Sequence, residues 1–252
     1  MPDFRVYCQP TDREASEIRL SPDESHHLAA VNRCGRGDPV IAFDGQGHEW
    51  ITECIEPNKN ATVLHVKERR LAKPRPHAIT LAQAVPKGST MDEIVRQATE
   101  VGAARVVPLL SERTQVHLDG ERAEKKIEKW RVVAIEAAKQ CGNPWLPEIS
   151  SLQSLPEFLA TTSGYDLKLV ASLHAGTLSL KTALSHYGQK HGGASPKRIL
   201  WLVGPEGDFS PAEMTAAITA GFQPITLGPL VLRSDTAAIF ALSILCHELP
   251  PA

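Results

Sequence analysis

Two stretches of this chain combine residue types and spacing that can do chemistry. The first is Val203-Gly204-Pro205-Glu206-Gly207-Asp208-Phe209-Ser210, directly after the apolar run ILWLV. Its glycines can take backbone conformations closed to other residues and let a ligand approach the main chain. Ser210 and Pro211 have the form of an N-cap and first helical position, and Glu213 stands where it closes a capping box. The second runs from Leu227 to Ala238 (LGPLVLRSDTAA) and puts one arginine, Arg233, between an apolar turn and an Ala-rich helical stretch. A Gly-Pro turn of this kind offers backbone N–H and C=O groups to an adenine edge, and Leu230 and Leu232 can sandwich the ring. Ser234 or Asp235 is the expected cap of a helix over Thr236–Glu248. An ordinary strand-turn-helix connection is the competing reading of the first loop on its glycines alone.

Several chemistries are excluded. No GxxxxGK[ST] occurs and no GxGxxG follows a strand, which argues against nucleoside triphosphates and dinucleotides. The five cysteines form no CxxC pair, so neither a disulfide framework nor a structural zinc site is expected, and no metal is assigned. The opening MPDFRVYCQP lacks the charged-then-apolar pattern of a secretory signal, and no segment approaches the apolar length of a membrane span. A soluble cytoplasmic chain is the expectation.

The elements that must hold these loops fall into two groups. Residues 1–72 read as short strands, Pro39–Phe43, Glu49–Ile55 and Thr62–Val66, separated by turn signals and forming a small β-barrel. Ser21 followed by Pro22 opens a short helix carrying His26 and His27. Two prolines in AKPRPH mark residues 73–77 as a linker. Over 78–252 the pattern changes to strands alternating with helices. Strands are expected at Ala78–Ala84, Arg105–Leu110, Lys168–Leu173, Ile199–Val203 and Pro224–Leu227, and helices at Thr90–Gly102, Ala123–Lys139, Pro211–Ala220 and Thr236–Glu248. That alternation implies an α/β layer structure with a mostly parallel sheet. Gly188–Arg198 reads as a surface loop.

Net charge is only −2, so any nucleic-acid contact depends on local clusters. KERRLAKPR (Lys67–Arg75) carries five basic residues against one Glu and reads as an extended connector suited to phosphate. Arg122–Arg131 is equally well a solvated helix face.

GPEGDFS followed by AGFQPITLGPLVLRSDTAA resembles the two signature motifs of the RsmE-type methyltransferases, in the SPOUT superfamily of knotted α/β proteins. Pro86–Val116 and Lys129–Ile149 resemble the family's first helix and strand and its following helix, and Ser25–Trp50 resembles its N-terminal PUA-like barrel. Asp208 departs from the family's more frequent Gly, and Asp235 from its more frequent Glu. The resemblance implies a C-terminal trefoil knot and a homodimer whose active sites are completed at the subunit interface. It also implies methylation of N3 of one uridine in 16S rRNA, on assembled small subunits. S-adenosyl-L-methionine would lie among Leu173, His174, Val203, Gly204, Pro205, Glu206, Gly207, Leu227, Gly228, Leu230, Leu232, Thr236 and Ala237. For the chemistry, Arg233 is the expected stabiliser of the uracil anion, with Glu206 first and Asp235 second as general base. His26, His27, Arg33, Lys87 and Arg96 are the expected RNA contacts. A different RNA nucleotide, or a non-catalytic RNA-binding factor with the same fold, are the competing functions.

Overall fold

The computed structural model describes residues 4–116, 119–173 and 176–249. The chain divides into two units, Met1–Pro74 with Ile135–Leu146, and Arg75–Ala134 with Pro147–Ala252.

In the first unit the strands are β1 (Phe4–Tyr7), β2 (Glu17–Arg19), β3 (Pro39–Phe43), β4 (His48–Glu56) and β5 (Val63–Leu71). They lie in the order β1-β3-β4-β5-β2. Only β1 and β3 pair in parallel; β3–β4, β4–β5 and β5–β2 are antiparallel. Alternation along β4 sends Trp50, Thr52 and Cys54 into the core, where Val6, Ile18, Leu28, Val40 and Leu64 meet Trp50 and Cys54. Among the described residues nothing pairs β1 with β2, and the five strands form a half-barrel sheet, the small barrel-type unit that the strand spacing suggested. Those two edge strands escaped the sequence reading because four and three residues are too short to display a period. Helix α1 (Pro22–His26) starts as expected, with Ser21 Oγ accepting from the Glu24 amide, and leads into a π-helical turn over His27–Val31.

Two sequence expectations change here. The basic run is no free connector, because Lys67–Leu71 continue strand β5. Lys67 pairs with Glu53, Arg70 with Glu68, and Arg69 donates to the Arg13, Glu14 and Ala15 carbonyls. Secondly, a division into contiguous domains leaves out 135–146. That segment joins the first unit through the Gly47 amide donating to Pro144 O at 3.0 Å and the Leu146 amide to Gly45 O at 3.0 Å. Lys139, almost enclosed, donates to Glu24 at 3.0 Å.

The second unit carries β6 (Ala78–Ala84), α2 (Thr90–Val101), β7 (Arg105–Leu110), α3 (Gly120–Cys141, whose last turns belong to the first unit), β8 (Glu148–Ile149) and β9 (Gln153–Ser154). It continues with α4 (Leu155–Ala160), β10 (Leu167–Ala171), β11 (Leu178–Ser179), α5 (Leu180–Lys190), β12 (Arg198–Val203), α6 (Pro211–Thr219), β13 (Gln223–Thr226) and α7 (Ser234–Glu248). The strand order is β11-β13-β10-β12-β6-β7-β8, with β9 also on β7, and every pairing is parallel. A parallel sheet needs both faces covered, and the side chains of β12 divide accordingly. Ile199, Trp201 and Val203 join the core under α2 and α7, while Leu200 and Leu202 join the core with Phe158, Phe209 and Met214. Helix α2 ends where expected, at Gly102 in the left-handed region with φ 96°. Helix α5 occupies the start of the expected surface loop, up to Lys190. No described helix is long and apolar enough to cross a membrane.

Candidate active site

Three strand ends that are neighbours in the sheet, β13, β10 and β12, deliver their carboxyl-terminal loops to one cavity of about 310 Å³. That size and position suit a small-molecule site in an open parallel sheet. Ala171–Leu173 come from the end of β10 and its loop, Val203–Glu206 and Asp208 from the end of β12 and its loop, and Ile225–Gly228 with Leu230–Asp235 and Ala237 from the end of β13, its loop and the start of α7; Thr90 of α2 completes the lining.

The loop after β12 is a tight turn, closed by the Asp208 amide donating to Pro205 O at 2.9 Å. Neither Gly204 nor Gly207 has a positive φ; the left-handed residue is Asp208, at φ 60°. Asp tolerates that region because its short side chain bonds locally, and here Asp208 Oδ1 accepts from the Phe209 amide at 2.7 Å. This explains how an aspartate can stand where glycine is more frequent in the resembling family. What Gly204 supplies is space: a Cβ there would lie 3.2 Å from the Phe209 amide nitrogen and 3.3 Å from Asp208 Oδ1. Buried Phe209 anchors the far end of the turn. Ser210 then caps α6 in the expected capping box with Glu213.

Glu206 does not cap that helix. Its Oε1 accepts from the backbone amide of Lys87 at 2.9 Å, tying the β12–α6 loop to the β6–α2 loop. On the other side of the cavity Gly228 has φ 123°, and Thr226 Oγ1 bonds both its amide (3.3 Å) and its carbonyl (3.1 Å). Leu173, Leu230 and Val231 stand exposed at the rim. The cap of α7 differs from expectation: the helix begins at Ser234, and Arg233 is its N-cap residue with no side-chain cap bond. The Arg233 side chain is 81% exposed and its Nε lies 3.6 Å from Asp235 Oδ1. The first-turn amides of α7 and their partial positive charge therefore stand beside a guanidinium.

Of the residues expected at a cofactor site, Leu173, Val203, Gly204, Pro205, Glu206, Leu227, Gly228, Leu230, Leu232 and Ala237 line this cavity, as do Arg233 and Asp235. Gly207 and Thr236 are not in the lining, and His174 lies outside the described residues. Thr90, Ser172, Asp208 and Val231 line it without having been expected. Asp208 could have been found from its place inside the GPEG-type turn; Thr90, 136 positions before Thr226, carries no local signal. Of the expected RNA contacts, His26, His27 and Arg33 belong to the first unit and Lys87 and Arg96 to the second. His27 Nδ1 lies 3.2 Å from Lys139 Nζ. Arg33 is exposed at φ 58°, and Arg96 is occupied by Glu93 and Glu100 on its own helix.

A parallel sheet with a cavity at its carboxyl edge, preceded by a half-barrel unit, matches known proteins closely. A family model described as RNA methyltransferase domain covers residues 73–246, and one described as RNA methyltransferase PUA domain covers residues 20–66. The chain is therefore an RNA methyltransferase by class. A ribosomal RNA small subunit methyltransferase E of Synechocystis sp. is 31% identical over 244 residues, covering 95% of this chain and 76% of that protein. The structure of a Legionella pneumophila methyltransferase in complex with the bound cofactor SAM superposes with a TM-score of 0.87 at 30% identity, covering 97% of each chain. A ribosomal RNA small subunit methyltransferase E from Neisseria gonorrhoeae bound to S-adenosyl methionine gives 0.84 at 26% identity, again over 97% of each. This chain belongs to the ribosomal RNA small subunit methyltransferase E family.

Proposed function

We propose that this protein uses S-adenosylmethionine to methylate N3 of one uridine in 16S rRNA of the small ribosomal subunit. The observation that carries the reading is the meeting of the 203–208 and 227–235 loops around one cavity with Arg233 at its rim. The cavity fits the cofactor's chemistry. Among the described lining residues, Glu206, Asp208 and Asp235 stand against one cation, Arg233, a balance that favours a ligand bearing sulfonium and ammonium charges. Leu230, Leu232, Val203 and Ile225 offer apolar walls for an adenine. When bound, the cofactor supplies an electrophilic methyl group on sulfur.

What the chain must supply is a uracil nucleophile, since N3 carries a proton and its lone pair is unavailable until that proton leaves. The Arg233 guanidinium, beside the amide-rich start of α7, would stabilise the negative charge that spreads over the flanking carbonyl oxygens. Glu206 spends one oxygen on the Lys87 amide, so we assign it to shaping the wall and give the N3 proton to Asp235, 3.6 Å from Arg233. The target base must be presented unstacked. In the same reading the 227–238 segment is the threaded part of a trefoil knot, the protein is a cytoplasmic homodimer, and the assembled subunit is its substrate. The net charge of −2 fits a partner that already presents the nucleotide in a fixed shape. Mass-spectrometric mapping of modified nucleotides in 16S rRNA from cells lacking the protein, before and after incubation of their small subunits with it, tests this directly. Gain of one N3-methyluridine is expected; gain of none, or of another modified base, overturns it.

A further inference from the structure

The turn that walls the cavity is held from behind by a segment that does not line it. Arg113 Nη1 donates to the Gly207 carbonyl at 2.7 Å, and the aliphatic stem of Arg113 lies against Gly207, whose Cβ, were there one, would sit 3.4 Å from Arg113 Cδ. That carbonyl belongs to the same peptide group as the Asp208 amide, which closes the turn onto Pro205 O. Fixing one end of a rigid peptide plane fixes the other. The hold is double, because Glu213, 7% exposed, places Oε2 on the Ser210 amide at 2.9 Å and Oε1 on the Glu112 amide at 2.8 Å. The holding segment is itself ordered: Thr114 Oγ1 accepts from the Ser111 amide and the Thr114 amide donates to Ser111 O, both at 3.0 Å.

From these contacts we infer that Arg113 is a positioning residue for cofactor binding, acting through the Gly207 peptide rather than by touching ligand or RNA. The inference rests on the adenosylmethionine reading of the cavity. A turn whose closing amide is pinned before the ligand arrives has less freedom to lose on binding. Arg113 thus sets how tightly the cofactor is held, and leaves the methyl-transfer rate at saturation nearly alone.

The test is calorimetric titration of S-adenosylmethionine into wild type, R113M and R113K, with hydrogen exchange of the 204–210 amides measured on the same ligand-free proteins. Met keeps the stem that packs on Gly207 and removes the donors; Lys keeps a cationic donor group at the end of its stem. R113M is expected to bind about tenfold more weakly and to exchange the Asp208 amide about tenfold faster, R113K to recover to within about threefold, and kcat to change less than twofold in both. Should R113M fail to fold, R113Q takes its place with the same expectation. Unchanged affinity, unchanged exchange, or a loss confined to kcat overturns the positioning role. Absence of binding to wild type would instead overturn the cofactor reading itself.

Discussion

Glu206 Oε1 and the backbone amide of Lys87, 119 positions apart in sequence, are joined at 2.9 Å. A carboxylate in the middle of the signature loop thereby holds the loop after β6 in place. A charge-assisted bond to a backbone amide is worth about 1.5 kcal/mol when partly solvated, or roughly tenfold in affinity. E206A is therefore expected to weaken adenosylmethionine binding about tenfold, and E206Q, whose amide oxygen can still accept, less than threefold. Isothermal titration checks this. Equal losses in both variants would mean that the charge, rather than the bond to Lys87, is what the site uses.

The Arg233 side chain is 81% exposed, so little of the fold's packing rests on it. R233A should melt at the wild-type temperature and bind cofactor within a few-fold, while single-turnover methyl transfer falls about a hundredfold to a thousandfold, the usual effect of removing an anion-stabilising donor. R233K should recover little, since an ammonium lacks the planar fork. Near-normal turnover in R233A would remove this residue from the chemistry.

Gly204 is placed where a side chain has nowhere to go. A Cβ already meets the Phe209 backbone nitrogen at 3.2 Å, so G204A should need a shift of a few tenths of an ångström and cost affinity about threefold. G204V should cost about 1–3 kcal/mol, some tenfold to a hundredfold, through overpacking. Affinity retained in G204V would contradict the assignment of this cavity to the cofactor.

Asp166 gives the fold one defined acid sensitivity. Its Oδ2 accepts the Arg198 and Lys197 amides, each at 2.8 Å, at the entry to β12. The bond to the Arg198 amide, with that to Lys197 adding to it, holds the carboxyl below its ordinary value of 3.8. A pKa depressed by folding means stability present above the ordinary value and lost as pH falls through the lower folded one. The melting temperatures of wild type and D166N should differ at pH 7 and converge below pH 3.8. A difference that persists undiminished into acid would show that the carboxylate's charge is irrelevant there.

The cysteines should divide sharply by reactivity. Burial pushes the thiols of Cys8 and Cys34 up to about 12, and raises those of Cys54 and Cys246, so none of these offers appreciable thiolate near neutrality. Cys141 is exposed. A thiol-titrating disulfide reagent at pH 8 should modify about one thiol per native chain quickly, and C141S should abolish that fast phase. A fast phase surviving in C141S would mean that one of the four protected thiols is reached readily in the native chain.

What the residues by themselves determined was local or periodic. Ser21-Pro22 and Ser210-Pro211 with Glu213 started helices where they were read, because a cap bonds amides only three residues away. Gly102 ended α2 for an equally local reason, and the continuous apolar run of β12 suited a strand covered on both faces. The order of the two signature loops along the chain was likewise plain from the start. Tertiary structure alone decided the partners. That Glu206 reaches Lys87, that Arg113 reaches Gly207, and that 135–146 joins the half-barrel are contacts across tens to more than a hundred residues. Nothing in a window of neighbouring side chains encodes such distances, since they follow from how strands are ordered in a sheet. The left-handed turn residue shows the same limit at short range. Two glycines in the GPEG loop advertise freedom, yet closure onto Pro205 O and the anchoring of Phe209 in the core place the positive φ on Asp208.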